Sequence, residues 1–299
     1  MEHCLFMPKT AYKSPRRARF DDDLDFPQDD LQADSRTALL DTGWDDETGP
    51  NPDAHGLPIP QDFFDDGWIT EVDHVVSSGK EGTVYACLAG EQAPAGHERL
   101  AVKIYTPREV RSFRNDARYT AGRQGHGKPD RRMERAMAKK TRVGKQGKEQ
   151  SWIGHEFRTL QALHAAGARV PEPFRQSGRA VLMEFIGDAD GPAPRLKEIA
   201  VAPEDGRRHF RILMEQIELW LSCGVIHGDL SPFNILVHRG EVVVIDFPQA
   251  VDPWTNPDAL DFLERDIANV ARHFAPAGIT VDAAALARSM WHTYRASHR

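Results

Sequence analysis

From Trp68 onward the chain alternates short apolar runs with polar turns. The stretch WITEVDHVVSSGKEGTVYACLAG sets two β-rich runs around a polar turn, and RLAVKIYTP adds a third that Pro107 stops. That pattern predicts a meander of short antiparallel strands. The period then changes. In SWIGHEFRTLQALHAAG, Trp152, Ile153, Phe157, Leu160 and Leu163 recur at helical spacing, and Gly167 suits a C-cap. AVLMEFIG reads as a buried strand running into a polar, glycine-containing turn. DGRRHFRILMEQIELWLSCG predicts a long amphipathic helix ending at Gly224. Beyond Val251, NPDALDFLERDIANVARHFAPAG predicts a helix with Asn256 or Asp258 near its cap, and VDAAALARSMWHTYRASHR a last one. The order is strands, helix, strand, then mostly helices. The predicted fold class is α+β, with a small sheet-rich lobe, a larger helical lobe and a cleft between them.

Charge adds an asymmetry. The 299 residues carry a net charge of −7, with 40% hydrophobic and 28% charged residues, which is ordinary for a globular chain and unlike a nucleic-acid coat. Residues 21 to 66 are crowded with Asp, Pro and Gly without period, so residues 1–66 are expected to form an acidic, disordered tail, either solvated or reserved for a partner. Residues 107–150 are rich in Lys and Arg with Gly and Pro interruptions. They read either as a solvated basic loop or as a flap facing phosphates or RNA. The folded part is expected over 67–299, with a first lobe over about 67–184 and a second over about 187–299. Cys4, Cys87 and Cys223 lack zinc-site spacing and predict reduced thiols in a cytoplasmic protein. No apolar run approaches the roughly 18 residues of a membrane span, and no signal peptide is expected.

The chemistry concentrates in GVIHGDLSPFNILVHRGEVVVIDFPQAV, Gly224 to Val251. Asp229 and Asn234 are separated by four residues, and Asp246 closes the apolar run VVVI. Phosphoryl transfer needs a held triphosphate, metal ions on its oxygens and a carboxylate to orient the acceptor. Asp229 can accept the proton of an attacking hydroxyl. Asn234 and Asp246 offer oxygens to Mg²⁺, a hard cation. His227 reads as a backbone-bonding support rather than a base. Lys103 in LAVKIY matches a strand lysine that reaches the α- and β-phosphates of ATP, with Glu156 on the following helix as its ion-pair partner. The turn SSGKEGTV has glycines at 79 and 82 but neither a full G-x-G-x-x-G nor a Walker A pattern. It reads as a hairpin turn or, with Lys103 behind it, as a phosphate-covering loop in which Ser78 and Lys80 touch phosphate.

These residues together resemble the RIO family of atypical serine/threonine protein kinases, and the RIO1-like branch in particular. The resemblance covers residues 70 to 275 and rests on SSGKEGTVY, LAVKIYTP, the basic insertion before HEFRTLQALHAAGARVPEP, MEFIGDADGPAPRLKE, VIHGDLSPFNILV and VIDFPQAVDP. It implies a trimmed kinase fold without the usual activation segment, binding ATP and Mg²⁺ and phosphorylating Ser/Thr, itself included. It implies Asp229 as proton acceptor, Asn234 and Asp246 as metal ligands, and backbone groups of Glu184, Phe185 and Ile186 on the adenine. Asp246 is a candidate aspartyl-phosphate, since RIO proteins are described as ATPases as well as kinases. The absence of an N-terminal winged helix argues against the RIO2 branch.

Two positions depart from typical kinases. DFP stands in place of D-F-G, and Ser231 stands where many kinases carry a lysine near the γ-phosphate, so the missing charge is expected from Lys80 or the basic insertion. Two alternatives stay open: an ATPase switch that binds a ribosomal precursor or RNA through residues 107–150, and a small-molecule kinase of the aminoglycoside or choline type, which shares the HGD loop.

Overall fold

The computed structural model describes residues 59–79, 82–106 and 142–298, with the side chains of the long helix after 141 described from Ile153. Lys80 and most of the basic insertion therefore lie outside the described residues. Strands β1 (Ile69–Ser78), β2 (Gly82–Ala89), β3 (Arg99–Tyr105), β4 (Pro173–Ser177) and β5 (Ala180–Glu184) form one antiparallel sheet in the order β1-β2-β3-β5-β4. β3 is buried on both faces, as its run of Leu100, Ala101, Val102 and Ile104 requires. β4 escaped the sequence reading because PFRQS is half-buried throughout and shows no apolar alternation.

The acidic stretch expected as a tail contributes structure from Ile59. A short helix, α1 (Asp62–Asp65), seats Phe63 in the sheet core with no exposed surface. Arg175 of β4 pairs with Asp62 and Asp66 at 3.9 and 2.5 Å, so part of the local acidity is offset by a cation distant in sequence while both carboxylates stay in contact with water.

The next helix, α2 (Arg142–Ala165), begins at Arg142 rather than at Ser151, taking up the end of the basic insertion. It belongs to two cores. Ile153 packs with Ala101, Tyr105, Val181 and Met183 of the sheet, whereas Leu160 and Leu163 pack into the large helical core. One rigid helix thus fixes the strand face against the second lobe.

A hairpin of β6 (Gly187–Asp188) and β7 (Gly191–Pro192) joins the lobes. A 3₁₀ turn (Leu196–Glu198) leads to α3 (Pro203–Ser222), which has proline at its first position and a left-handed Gly224 (φ +73°) after its end. Strands β8 (Ile235–His238) and β9 (Glu241–Val244) make a hairpin turned by Arg239 and Gly240, both at positive φ. The chain then passes through Phe247–Asp258 directly into α4 (Ala259–Phe274) and ends in α5 (Ala283–Ser297), capped by Asp282. Trp220, Ile217 and Leu213 of α3 meet Phe262, Ile267 and Val270 of α4 in the larger core. Each fully buried side chain of this size contributes about 2 kcal/mol by removal from water. The sheet-rich first lobe, the helical second lobe and the direct path into α4 are the expected trimmed α+β, kinase-like architecture.

Candidate active site

β3 sets Lys103 in an apolar frame, while its other cation, Arg99, pairs with Asp73 at the strand start. Lys103 lies opposite Val84 of β2 and Val181 of β5, and only 9% of it is exposed. A buried ammonium must be paired. Lys103 Nζ donates to Glu156 Oε1 of α2 at 3.0 Å and forms a short hydrogen bond to Asp246 Oδ1. The Glu156 carboxylate also accepts from the Tyr105 hydroxyl, and Lys103 Nζ sits 4.8 Å from the Tyr105 ring centroid. Burial works against the Lys103 charge, but the two carboxylates outweigh it and raise its pKa. Burial likewise works to raise Asp246, and the Lys103 charge and hydrogen bond overcome it and hold the carboxyl below the ordinary range.

The loop from His227 to Asn234 and the segment ending at Asp246 are stitched together by backbone. Ile245 N–H donates to Asn234 C=O at 2.9 Å, which sets Asn234 beside Asp246. Asn234 Nδ2 donates to Asp229 C=O at 2.9 Å, turning the carboxamide oxygen away from that contact. His227 is a strut: its Nδ1 accepts from Asp229 N–H at 3.3 Å and its Nε2–H donates to Ile245 C=O at 3.2 Å. That pattern is one neutral tautomer. Burial pushes the imidazole down to about 4, so it stays neutral near pH 7. Asp246 itself has φ +71°, a left-handed backbone that Asp tolerates better than most residues.

The Asp229 side chain is exposed at the mouth of the cleft, yet enough protein surrounds it to raise its carboxyl above the ordinary range. Arg265 opposes that rise and Asp246 adds to it.

Helix α4 supplies a clamp that the sequence reading did not single out. Asp266 Oδ2 accepts Gly228 N–H at 2.8 Å and Oδ1 accepts Leu230 N–H at 3.0 Å. Arg265 donates to Gly228 C=O, and Asn269 Nδ2 donates to Leu230 C=O at 3.1 Å. Both peptide groups that flank Asp229 are thereby held. Asp266 is 2% exposed, and burial raises its carboxyl to about 7 against the pull of those two amides. The sequence signal was present: Asp266 falls on the apolar stripe of α4, four residues after Phe262 and next to Ile267, where a solvated charge does not belong.

The remaining predicted positions fare unevenly. Ser78 ends β1, with its hydroxyl 3.2 Å from that of Thr83 across the turn, and Gly79 N–H closes the turn on Gly82 C=O at 3.0 Å. Gly82 has a sheet-packing reason of its own, since a Cβ there would stand 2.3 Å from Ile104 O. Lys80 lies outside the described residues. In the interlobe turn, Glu184 N–H is taken by Glu172 C=O at 2.8 Å and Ile186 C=O by Ala193 N–H at 2.9 Å, which narrows the backbone groups left for a base. Among the described residues no three His, Cys, Asp or Glu side chains form a metal cage. Asp246 and the Asn234 carboxamide oxygen still fit Mg²⁺, a hard ion that takes few protein oxygens and draws the rest from phosphate and water.

A buried lysine bridging a helix glutamate and a strand-end aspartate, below a clamped Asp-x-x-x-x-Asn loop between a sheet lobe and a helical lobe, defines the protein-kinase class of phosphotransferase. The RIO domain family matches residues 83–286. The RIO-type serine/threonine-protein kinase Rio1 of Haloferax volcanii is 32% identical over 265 residues, 85% of this chain and 84% of that protein. Serine/threonine-protein kinase RIO1 of Homo sapiens is 32% identical over 220 residues, covering 72% of this chain but 35% of the human one. The Rio2 kinase of Chaetomium thermophilum shares the fold, with a TM-score of 0.51 at 22% identity over 75% of this chain and 65% of that structure. The chain belongs to the RIO family of serine/threonine-protein kinases, on its RIO1-like branch. Among the described residues no helix is long and apolar enough to cross a membrane.

Proposed function

We propose that this chain transfers the γ-phosphate of ATP to serine or threonine hydroxyls, its own included, in a Mg²⁺-dependent reaction. The observation that carries the reading is the three-way contact of Lys103, Glu156 and Asp246, because it joins both lobes at one buried cation. In this reading Asp229 takes the proton of the acceptor hydroxyl as its oxygen attacks the γ-phosphorus and ADP leaves. A carboxylate raised above its ordinary pKa accepts that proton more readily. Lys103 would meet the α- and β-phosphates, with Glu156 fixing its direction. Asn234 and Asp246 would hold Mg²⁺, which neutralises phosphate charge when bound. Ser78 and Lys80 would cover the phosphates, and the backbone of Glu184, Phe185 and Ile186 would seat the adenine. Asp229→Ala should abolish transfer from γ-labelled ATP while leaving nucleotide binding largely intact. Labelling at the wild-type rate in that variant would sink the assignment.

The state of Asp246 favours a second output from the same site. Its carboxylate is kept ionised by Lys103, as a nucleophile must be. Attack by an Asp246 oxygen on the γ-phosphorus, with loss of ADP, gives an aspartyl phosphate that water then cleaves, and the sum is ATP hydrolysis. Hydroxylamine-labile label on Asp246 supports this route; label confined to Ser and Thr excludes it.

A further inference from the structure

The surface beside Asp229 carries two cations with no direct ion pair among the described residues, although the Arg195 charge also helps hold the Asp246 carboxyl below its ordinary range. Arg195 and Lys197 flank the start of the 3₁₀ turn, and neither forms an ion pair among the described residues. One backbone contact ties this turn to the Asp229–Asn234 loop, and two tie it to strand β8, which follows that loop. Lys197 N–H donates to Pro232 C=O at 3.2 Å, Val237 N–H donates to Pro194 C=O at 2.9 Å, and Arg195 bridges Leu236. Phe233, between Pro232 and Asn234, is 53% exposed and is one of two large apolar side chains so exposed among the described residues. Across the loop, Arg265 reaches Gly228 C=O, and the exposed Arg272 donates to the Asn269 side chain at 3.4 Å. The nearby carboxylates are held to backbone amides rather than to these cations. Glu198 turns back to accept Arg195 N–H at 2.9 Å, and Asp188 accepts Asp190 N–H at 3.0 Å. Free cations around an exposed ring complement a polypeptide of the opposite charge.

We infer that Arg195 and Lys197, with the exposed Phe233 of the neighbouring loop, form a docking surface that selects serine or threonine segments flanked by Asp or Glu. The inference deepens the kinase reading above and rests on it for the chemistry, but not for the binding. A basic acceptor segment is disfavoured here, because each of its cations would face Arg195, Lys197 or Arg272. An apolar residue next to the acceptor would cover Phe233. Arg195 and Lys197 are specificity residues in this scheme: they touch the acceptor chain and leave the reacting atoms to others.

The test is a fluorescence anisotropy titration with the full-length chain. The probes are three labelled serine peptides of one backbone: Asp/Glu-flanked, Asn/Gln-flanked and Lys-flanked. The acidic peptide should bind roughly five- to tenfold tighter than the neutral one at low salt, as two partly exposed ion pairs supply. The gap should close as salt rises. Arg195→Gln with Lys197→Gln should bring the acidic peptide to the neutral affinity. Arg195→Glu with Lys197→Glu should reverse the preference toward the Lys peptide, with an unchanged urea midpoint showing that the variant is folded. Equal binding of the three peptides to the wild-type chain, or an acidic preference that survives charge reversal, overturns the inference. Adding γ-labelled ATP to the same series separates it from the kinase reading: acid-selective binding with phosphate transferred to none of the peptides leaves the docking surface standing and removes the kinase assignment.

Discussion

Asp266 grips the peptide groups on both sides of Asp229, through Gly228 N–H at 2.8 Å and Leu230 N–H at 3.0 Å. The Asp229 carboxylate, the proton acceptor we propose, is therefore aimed by a second carboxylate on helix α4. Asp266→Asn keeps one acceptor oxygen but faces the other amide with an NH₂ group. We expect kcat to fall on the order of a hundredfold, as misplacement of a catalytic group does, with KM for ATP little changed. Asn269→Ala, which frees only Leu230 C=O, should lose less. Steady-state kinetics on the two variants check this, and a wild-type kcat in Asp266→Asn would remove the positioning role.

Lys103 and Glu156 form the buried ion pair that ties sheet to helix, at 3.0 Å and with Glu156 only 1% exposed. Removing the lysine takes the cation from Glu156 and Asp246 alike and leaves Glu156 buried beside the neutral Tyr105 hydroxyl. Lys103→Met should cost about 3–5 kcal/mol of stability. Lys103→Met combined with Glu156→Met should recover much of that loss, while activity stays absent in both. Urea unfolding of the two single variants and the double variant gives the coupling; simple additivity would contradict it.

His227 predicts an acid-sensitive fold. Its folded pKa is pushed down to about 4, below the ordinary 6.5, so between those values the unfolded chain binds the extra proton. Stability from this residue is complete above pH 6.5 and is lost as pH falls toward 4, by about 3 kcal/mol at about 1.4 kcal/mol per unit. His227→Gln keeps a donor for Ile245 C=O and an acceptor for Asp229 N–H but does not titrate. The difference in urea midpoint between wild type and this variant should shrink or invert on going from pH 7 to pH 5. A constant difference would place the acid sensitivity elsewhere.

Asp246 couples a charge to an unusual backbone, φ +71°. Asp246→Asn tolerates that conformation and should stay folded while losing phosphate transfer. Asp246→Val must also adopt the left-handed region with a branched side chain, at a further cost of about 1–2 kcal/mol. Thermal unfolding of the pair separates the backbone cost from the charge.

Much of this was legible in the residues because the signals were strong and local. Apolar alternation and period marked β1 to β3, β5 and the long helices, and the spacing of Asp229, Asn234 and Asp246 marked the site. The misses have specific causes. α1 is too short to show a period, and its Asp residues read as tail until Arg175, distant in sequence, is seen to pair with them. Similarly, α2 starts early at Arg142 because Lys, Gln and Arg have good helix propensity even where composition suggests a loop. Asp266 was passed over as one charge among the neighbours in LERD, although its place on the buried stripe distinguished it. That Arg195 and Lys197 form no direct ion pair among the described residues cannot be read from sequence at all, since it depends on which carboxylates the fold brings near.

Phe247 has no exposed surface, with Trp220 edge-on at 5.5 Å and His227 at 4.5 Å, and Pro248 follows it. A ring wedged that way, with the next backbone torsion fixed by proline, opposes an exchange of places with the neighbouring aspartate. We therefore expect control of this protein to act on what reaches Asp229 rather than on where Asp246 stands.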